Sequence, residues 1–260
     1  MKKILIRILI GILALIVVVA LAVHFFLDGA IKRGVETVGP RLTQTDVKLK
    51  SINISILSGF GSIKELVIGN PEGYKSPSAI NVGKINLSLQ PTSLLSKKMV
   101  VKSISIDAAE VSFEGNPLGE NNLKKIRENV EATSSAVNTN APSTPVEKKA
   151  SKKIEVDDFL MTATKVHVSL NIVGRQASGT LSVPEIHLTG LGKDSDGITT
   201  AELTKKIVQA IESDVVKTVA SQAGNLGKGT ADLTKGLGTT TTNSLNKATK
   251  SIGDIFKKKN

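Results

Sequence analysis

Three histidines are the side chains of this sequence best suited to metal binding or proton transfer. His24 lies within an apolar run, whereas His167 and His187 lie in segments with a strand pattern. Apart from Glu185 near His187, neither strand histidine has an Asp or Glu at ligand spacing. We therefore expect ordinary core or surface positions for these two residues. For His24 we expect an interfacial position in which the ring reaches lipid headgroups.

Two short loops resemble ion-binding or phosphate-binding motifs, but both lack the required spacing. Asp194-Ser195-Asp196-Gly197 resembles part of a calcium loop, yet the EF-hand alignment puts Leu203 where a liganding Glu is required. The Gly-rich stretch 224–229 does not have P-loop spacing. The absence of Cys excludes disulfides, thiolate metal sites and Cys nucleophiles. We predict no catalytic residue, no metal and no cofactor, so the protein is predicted not to be an enzyme.

The run Ile8 to Leu27 contains only two residues that are not strongly apolar, Gly11 and His24. As a helix, this run reaches roughly 30 Å, which is the thickness of the hydrocarbon core of a bilayer. The sequence therefore predicts a single transmembrane anchor over residues 8–27.

The charges before this run predict its orientation. Lys2, Lys3 and Arg7 precede it, which favours a cytoplasmic segment 1–7 and a chain that lies mostly outside the cytoplasm. Ala20-Leu21-Ala22 has the form of a cleavage site, so a removed signal peptide is the alternative. The apolar residues continue beyond Ala22, which favours an uncleaved anchor.

The composition limits the classes of partner. The net charge is +11, but the basic residues are scattered in short clusters. Only 3% of the residues are aromatic, which argues against a stacking surface for nucleobases or sugars. We predict no nucleic-acid partner. The expected partners are the membrane itself, with phospholipid headgroups or other envelope polyanions as charged ligands; solvated surface charge is the alternative.

Short apolar segments separated by turn residues follow the anchor, and they predict strands at 47–57, 62–68, 79–90, 99–106 and 110–114. Because the gaps are too short for crossover helices, we expect antiparallel pairing. Alternation places one apolar set on a single face, which we predict to line a groove. Its residues are Ile52, Ile54, Ile56, Ile85, Leu87, Leu89, Ile104 and Ile106.

The second half of the chain repeats this pattern after a break. A helix is predicted over 121–131, followed by a linker over 133–153. A β-rich continuation over 154–190 has strands at 154–159, 162–173 and 177–188. Thr199 and Glu202 form a capping box that opens an amphipathic helix over 199–220. The Gly-, Thr- and Lys-rich tail 221–260 favours neither a helix nor disorder.

Several turn motifs resemble those of the AsmA-like family of bacterial envelope proteins. The resemblance covers roughly residues 1–130, and it implies an AsmA-like β-rich module over residues 28–132. Three further segments contribute to the resemblance: the Ser93-Leu94-Leu95 turn, Glu110-Val111 and Asn121-Asn122-Leu123. The motif residues themselves are Gly59, Gly61, Asn70, Pro71, Gly73 and Tyr74.

The resemblance implies a mainly β fold with flanking helices: an N-terminal transmembrane helix, an antiparallel, curved β-sheet or groove, and a C-terminal helix. It also implies a single-pass inner-membrane protein facing the periplasm, with a role in outer-membrane biogenesis and phospholipid as the groove ligand. Since the chain is too short to span an envelope, we expect local lipid binding or an accessory role.

Two other functions are compatible with the sequence. The first is a structural or interaction scaffold with a closed β core and a basic, partner-binding tail. The second is a membrane-tethered enzyme, which would require His167, His187 and acidic residues to cluster. An open apolar groove favours lipid handling, whereas a face sealed by the predicted helix at 201–220 favours the scaffold.

Overall fold

The computed structural model describes residues 2–138, 152–172 and 175–222, and it begins with one long helix, α1 (Lys2–Thr43). This helix continues through Pro40 and ends at Thr43. It stops where Gln44 adopts a left-handed backbone (φ 55°) and donates its amide to the Pro40 carbonyl. Among the described residues, no helix is apolar over a length sufficient to cross a bilayer. The anchor at 8–27 therefore stays a prediction.

Nine strands in the described part of the chain form one sheet. They are β1 (Val47–Ile54), β2 (Phe60–Gly69), β3 (Ser78–Leu89), β4 (Lys98–Asp107), β5 (Glu110–Gly115), β6 (Lys153–Thr162), β7 (Lys165–Ile172), β8 (Arg175–Ser182) and β9 (Ile186–Leu191).

The sheet branches at β3. One edge of β3 pairs with β2 along most of its length, and β2 pairs in turn with β1. The opposite edge is shared, because Ile80 and Asn81 pair with β5 while residues 85–89 pair with β4. Two arms leave from this point, β4–β6–β9 and β5–β7–β8. Segment 154–190 thus joins the same sheet as the first five strands.

The expectation of purely antiparallel pairing is wrong at two places. Strand β4 pairs parallel with β6, and β5 pairs parallel with β7. Parallel neighbours need a long crossover, and here the chain between β5 and β6 includes the helix α2 (Asn122–Asn138). The short gaps in the sequence predict only how consecutive strands pair. The two parallel pairs join strands that lie on either side of α2 in the sequence.

Two predicted elements of the second half of the chain differ clearly from the structure. The predicted strand 177–188 is two strands, since the chain leaves the β8 ladder at Val183 and resumes at Ile186 in β9. Helix α2 extends through Asn138, well past the predicted end at 131. Most of the predicted linker, at 139–151, and the tail from 223 onward lie outside the described residues.

A crease crosses the sheet, and the spacing of buried residues marks it. Along each strand the inward residues alternate, but at the crease the interval is three instead of two, with residues pointing away from the core in between. Three of these steps lie within β1, β2 and β3: Leu49 to Ile52, Ile63 to Leu66 and Val82 to Ile85. The other three lie where β4 leads into β5, β6 into β7 and β8 into β9: Ile106 to Ala109, Met161 to Thr164 and Val183 to Ile186.

Three residues at this crease adopt a left-handed backbone: Glu65, Ala108 and Ala163, with φ between 50° and 53°. The chain changes direction at these residues, and apolar side chains on both sides of the crease stay on the inward face. The sheet is therefore curled into a half-barrel, as predicted for a curved sheet.

Helices fill the concave side of this half-barrel. Leu123, Ile126 and Val130 of α2 join the core formed by the strands. A third helix, α3 (residues 200–222), contributes Val208, Ile211, Val215 and Val219 to the same core. The largest fully buried side chains are Phe113 and Phe159.

Candidate functional site

An apolar cavity of about 360 Å³ lies between α1, α3 and the concave face of the sheet. The sheet contributes Val47, Leu66, Ile80, Val82, Ile106 and Met161. Helix α1 contributes Val35, Val38 and Leu42, and α3 contributes Thr204, Ile207, Val208 and Ile211. The lining is almost wholly apolar, so the cavity suits a hydrocarbon ligand better than a polar one.

Helix α1 forms one wall because it is fixed along the free edge of β1. The Asp28 carboxylate accepts a hydrogen bond from the Ile54 amide at 3.0 Å, and Glu36 accepts one from the Leu49 amide at 3.3 Å. Between them, the Lys32 ammonium donates to the Lys50 carbonyl at 2.9 Å. A spacing of four residues puts these three side chains on one helical face.

Helix α3 forms the other wall, and polar contacts hold both ends of its first half. At its start, Thr199 Oγ1 accepts from the Glu202 amide at 3.2 Å, while the Glu202 carboxylate accepts from the Thr199 amide at 2.8 Å. The predicted capping box is therefore confirmed. The Thr199 hydrogen bonds lower the pKa of Glu202. Farther along, Arg127 of α2 donates to Glu212 at 2.5 Å.

The eight predicted groove residues lie mostly deeper in the fold than the cavity. Five are buried: Ile52, Ile54, Ile85, Leu89 and Ile106. Leu87 and Ile104 pack partly buried against the core, and Ile56 is half-buried beyond the end of β1. Of the eight, Ile106 lines the cavity. Contact of this set with lipid stays a prediction.

The model of the AsmA family matches residues 1–178 of the chain. The protein belongs to the AsmA family. The matched part runs from α1 into β8, so the helix α3, which closes the cavity, lies beyond it. AsmA-family membership points to a role in building the cell envelope. No curated protein matches the chain.

One AsmA motif residue, Asn70, belongs to a buried polar network. Its Nδ2 donates to the Glu114 carboxylate at 2.8 Å, and its Oδ1 accepts from Asn122 at 2.8 Å. Glu114 also accepts from the backbone amides of Lys75 and Ser76, at 2.8 Å and 2.6 Å. Burial raises the pKa of the Glu114 carboxyl, but the hydrogen bonds from Ser76, Lys75 and Asn70 outweigh it and lower the pKa overall.

The remaining AsmA motif residues shape turns. Gly59 has a φ of 75°, and a Cβ there would collide with the Leu89 carbonyl oxygen. Gly73 has a φ of 94° in the turn where the Tyr74 amide donates to the Pro71 carbonyl at 3.3 Å. Gly61 lies in β2 opposite Ile54. These residues position the β1–β2 and β2–β3 connections rather than line the cavity.

The histidines with described side chains lie on different strands. The ring of His167 contacts Thr180 at 3.2 Å, and His187 contacts the exposed Asp158 carboxylate at 2.6 Å. The described residues contain no cluster of three His, Asp or Glu side chains able to hold a metal. Asp158 was not paired with His187 from the sequence, because the β6–β9 register was unknown. The side chain of His24 lies outside the described residues.

The cavity residues of α1 have a recognisable spacing in the sequence. Gly34, Val38 and Leu42 recur every four residues and therefore share one helical face. No role was predicted for that face. In the structure, all three residues line the cavity.

Proposed function

We propose that this AsmA-family protein binds the apolar chains of lipids in the cavity between α1 and α3 and serves envelope biogenesis without catalysis. The cavity itself is the observation that carries the proposal. Its volume of about 360 Å³ falls within the range of small-molecule sites, roughly 300–1,000 Å³. An apolar cavity is poorly satisfied by water and costs stability when empty, so a hydrocarbon occupant offsets that cost.

The proposal includes a membrane anchor, with the sheet on the periplasmic side of the inner membrane. The apolar run of residues 8–27 and the basic residues before it support this orientation. Large apolar side chains of the first part of α1 are exposed, as expected for a surface that meets lipid. They include Ile8, Leu9, Ile10, Ile12, Leu13, Leu15, Val18 and Phe26.

The test is mass spectrometry of lipids that co-purify with the full chain. Thr204→Trp fills the cavity from α3, whereas Lys206→Trp places the same ring on an exposed position of the same helix. We expect lipid with the wild type and with Lys206→Trp, and a loss of about tenfold with Thr204→Trp. Equal lipid in both variants would place the lipid elsewhere and overturn the proposal.

A closed scaffold is the second candidate, because α2 and α3 cover much of the concave face. In this function the fold presents surfaces to a protein partner, and the basic tail from residue 223 onward contributes to binding. Envelope integrity would then tolerate Thr204→Trp and fail when the tail is deleted. The lipid-binding function predicts failure with Thr204→Trp.

A further inference from the structure

The cavity has a floor and a mouth that differ in exposure. Val47, Ile80 and Val82 on the sheet are buried. By contrast, Gly34 of α1 and Thr200 of α3 line the cavity and are exposed to solvent. The cavity therefore opens outward between these two helices.

Two glycines of α1 show where the helix leaves space. A Cβ at Gly39 would lie 2.8 Å from Val47 Cβ, so α1 contacts the sheet closely there. A Cβ at Gly34 would meet nothing within 4 Å, although Gly34 lines the cavity. Space for an entering chain thus lies beside Gly34, about 10 Å along the helix from Leu27 at the end of the predicted anchor.

The volume sets the capacity of the site. An apolar cavity of about 150 Å³ accommodates benzene, with its six carbons. At the same packing, the cavity of about 360 Å³ takes a chain of about fourteen carbons. Two full-length acyl chains exceed this volume, and a second chain left in water would weaken binding by about fourfold per methylene.

We propose that the gap beside Gly34 is the entrance and that the cavity selects amphiphiles with one acyl chain, such as a fatty acid or a lysophospholipid. The chain enters between α1 and α3, and the headgroup stays outside at Thr200. This inference rests on the proposed lipid-binding function and adds the entrance and the single-chain preference. Because the lining is apolar, the chain and not the headgroup is recognised.

The test uses the full chain in phosphatidylcholine vesicles, with a thiol introduced at the cavity. The sequence has no Cys, so Thr204→Cys provides a single reactive site. We expect myristic acid or myristoyl lysophosphatidylcholine, added to the vesicles, to slow alkylation of this thiol by about tenfold. Protection by both indicates recognition of the chain; protection by one alone overturns that part of the inference.

Gly34→Leu in the same background closes the entrance and should abolish the protection. Gly29→Leu is the matched control, because a Cβ there also meets nothing within 4 Å and Gly29 does not line the cavity. Gly34→Ala, which leaves the entrance wide, should retain protection and shows whether substitution at this position disturbs folding. If the amphiphiles still protect the thiol in Gly34→Leu, the acyl chain does not enter beside Gly34 and this part of the inference is wrong.

The remaining outcomes separate this inference from the proposed function. If phosphatidylcholine co-purifies in the cavity and the single-chain amphiphiles change nothing, the single-chain preference is wrong and lipid binding stands. If no lipid co-purifies and no amphiphile protects the thiol, lipid binding and the inference both fail.

Discussion

The Asp28 carboxylate and the Ile54 amide are joined by a hydrogen bond of 3.0 Å, which links the first long helix to the edge of the sheet. An edge strand exposes unpaired backbone groups, and proteins usually cover them. Here the side chains of α1 act in place of a neighbouring strand, since Lys32 and Glu36 bond to the same edge. This docking also holds the wall of the cavity in place.

Asp28→Ala should release the Ile54 amide and destabilise the fold by about 1 kcal/mol, because one hydrogen bond to a partly buried donor is lost. Hydrogen exchange of the Ile54 amide should accelerate. Asp28→Asn keeps an acceptor oxygen and should show a smaller effect in both measurements. Unchanged exchange at Ile54 in the alanine variant would contradict the edge-sealing role of α1.

Glu114→Gln should destabilise the fold by about 2 kcal/mol, since an amide replaces a buried carboxylate that accepts three hydrogen bonds. Urea unfolding at neutral pH measures this loss. Glu72→Gln, in the adjacent loop and exposed, is the control and should have little effect.

The same carboxyl predicts a pH dependence of stability. Its pKa is lower in the folded protein than its ordinary value of 4.5, so the unfolded chain binds the proton more readily. The contribution of Glu114 is therefore fully present above pH 4.5 and is lost as the pH falls through the lower, folded pKa. In this acidic window, the free energy of unfolding of Glu114→Gln should depend less on pH than that of the wild type. An unchanged pH dependence would show that Glu114 is not the group responsible.

Arg127→Ala should loosen α3, because Arg127 joins α2 to Glu212 of α3 and also pairs with Glu131 at 2.8 Å. We expect faster hydrogen exchange across residues 205–215 and a loss of about 1–2 kcal/mol in unfolding free energy. The exposed Lys125 on the same helix offers the control Lys125→Ala. Equal exchange in the two variants would show that α3 is held by apolar packing alone.

Ala163→Val should destabilise the crease by about 1–2 kcal/mol, because a β-branched residue is strained at a φ of 51°. Ala163→Gly should be tolerated, since glycine adopts this backbone freely. Ser169→Val, at an exposed position within β7, tests the same side chain on ordinary strand backbone and should be nearly neutral. Thermal unfolding compares the three, and a benign Ala163→Val would argue against strain at the crease.

Much of the sheet could be predicted from local pattern. Alternating apolar residues identified every strand except the division between β8 and β9, and Thr199 with Glu202 identified the start of α3. The crease also has a signal in the sequence, because the interval between the inward apolar residues Val82 and Ile85 is three residues rather than two. Short-range patterns of this kind are fixed by backbone geometry and burial. They can therefore be recognised without knowing which strands or helices a segment packs against.

The pairing of distant segments could not be predicted in this way. A strand pattern gives the inward face of β4 and β6 but not their parallel arrangement, which depends on where α2 carries the chain. The contact of Asp158 with His187 has the same origin, since it follows from the register of β6 and β9.

The sequence by itself determined the strands, the turn motifs that carry the AsmA resemblance, and the helical face of Gly34, Val38 and Leu42. Only the tertiary structure decided that this face meets α3 across a cavity. Whether two distant helices fill the space above a sheet or leave it open depends on summed side-chain volumes and the angle of docking. Side-chain volumes summed over distant segments, and the angle at which helices dock, are defined only in the folded molecule. They cannot be read from any single segment of the sequence.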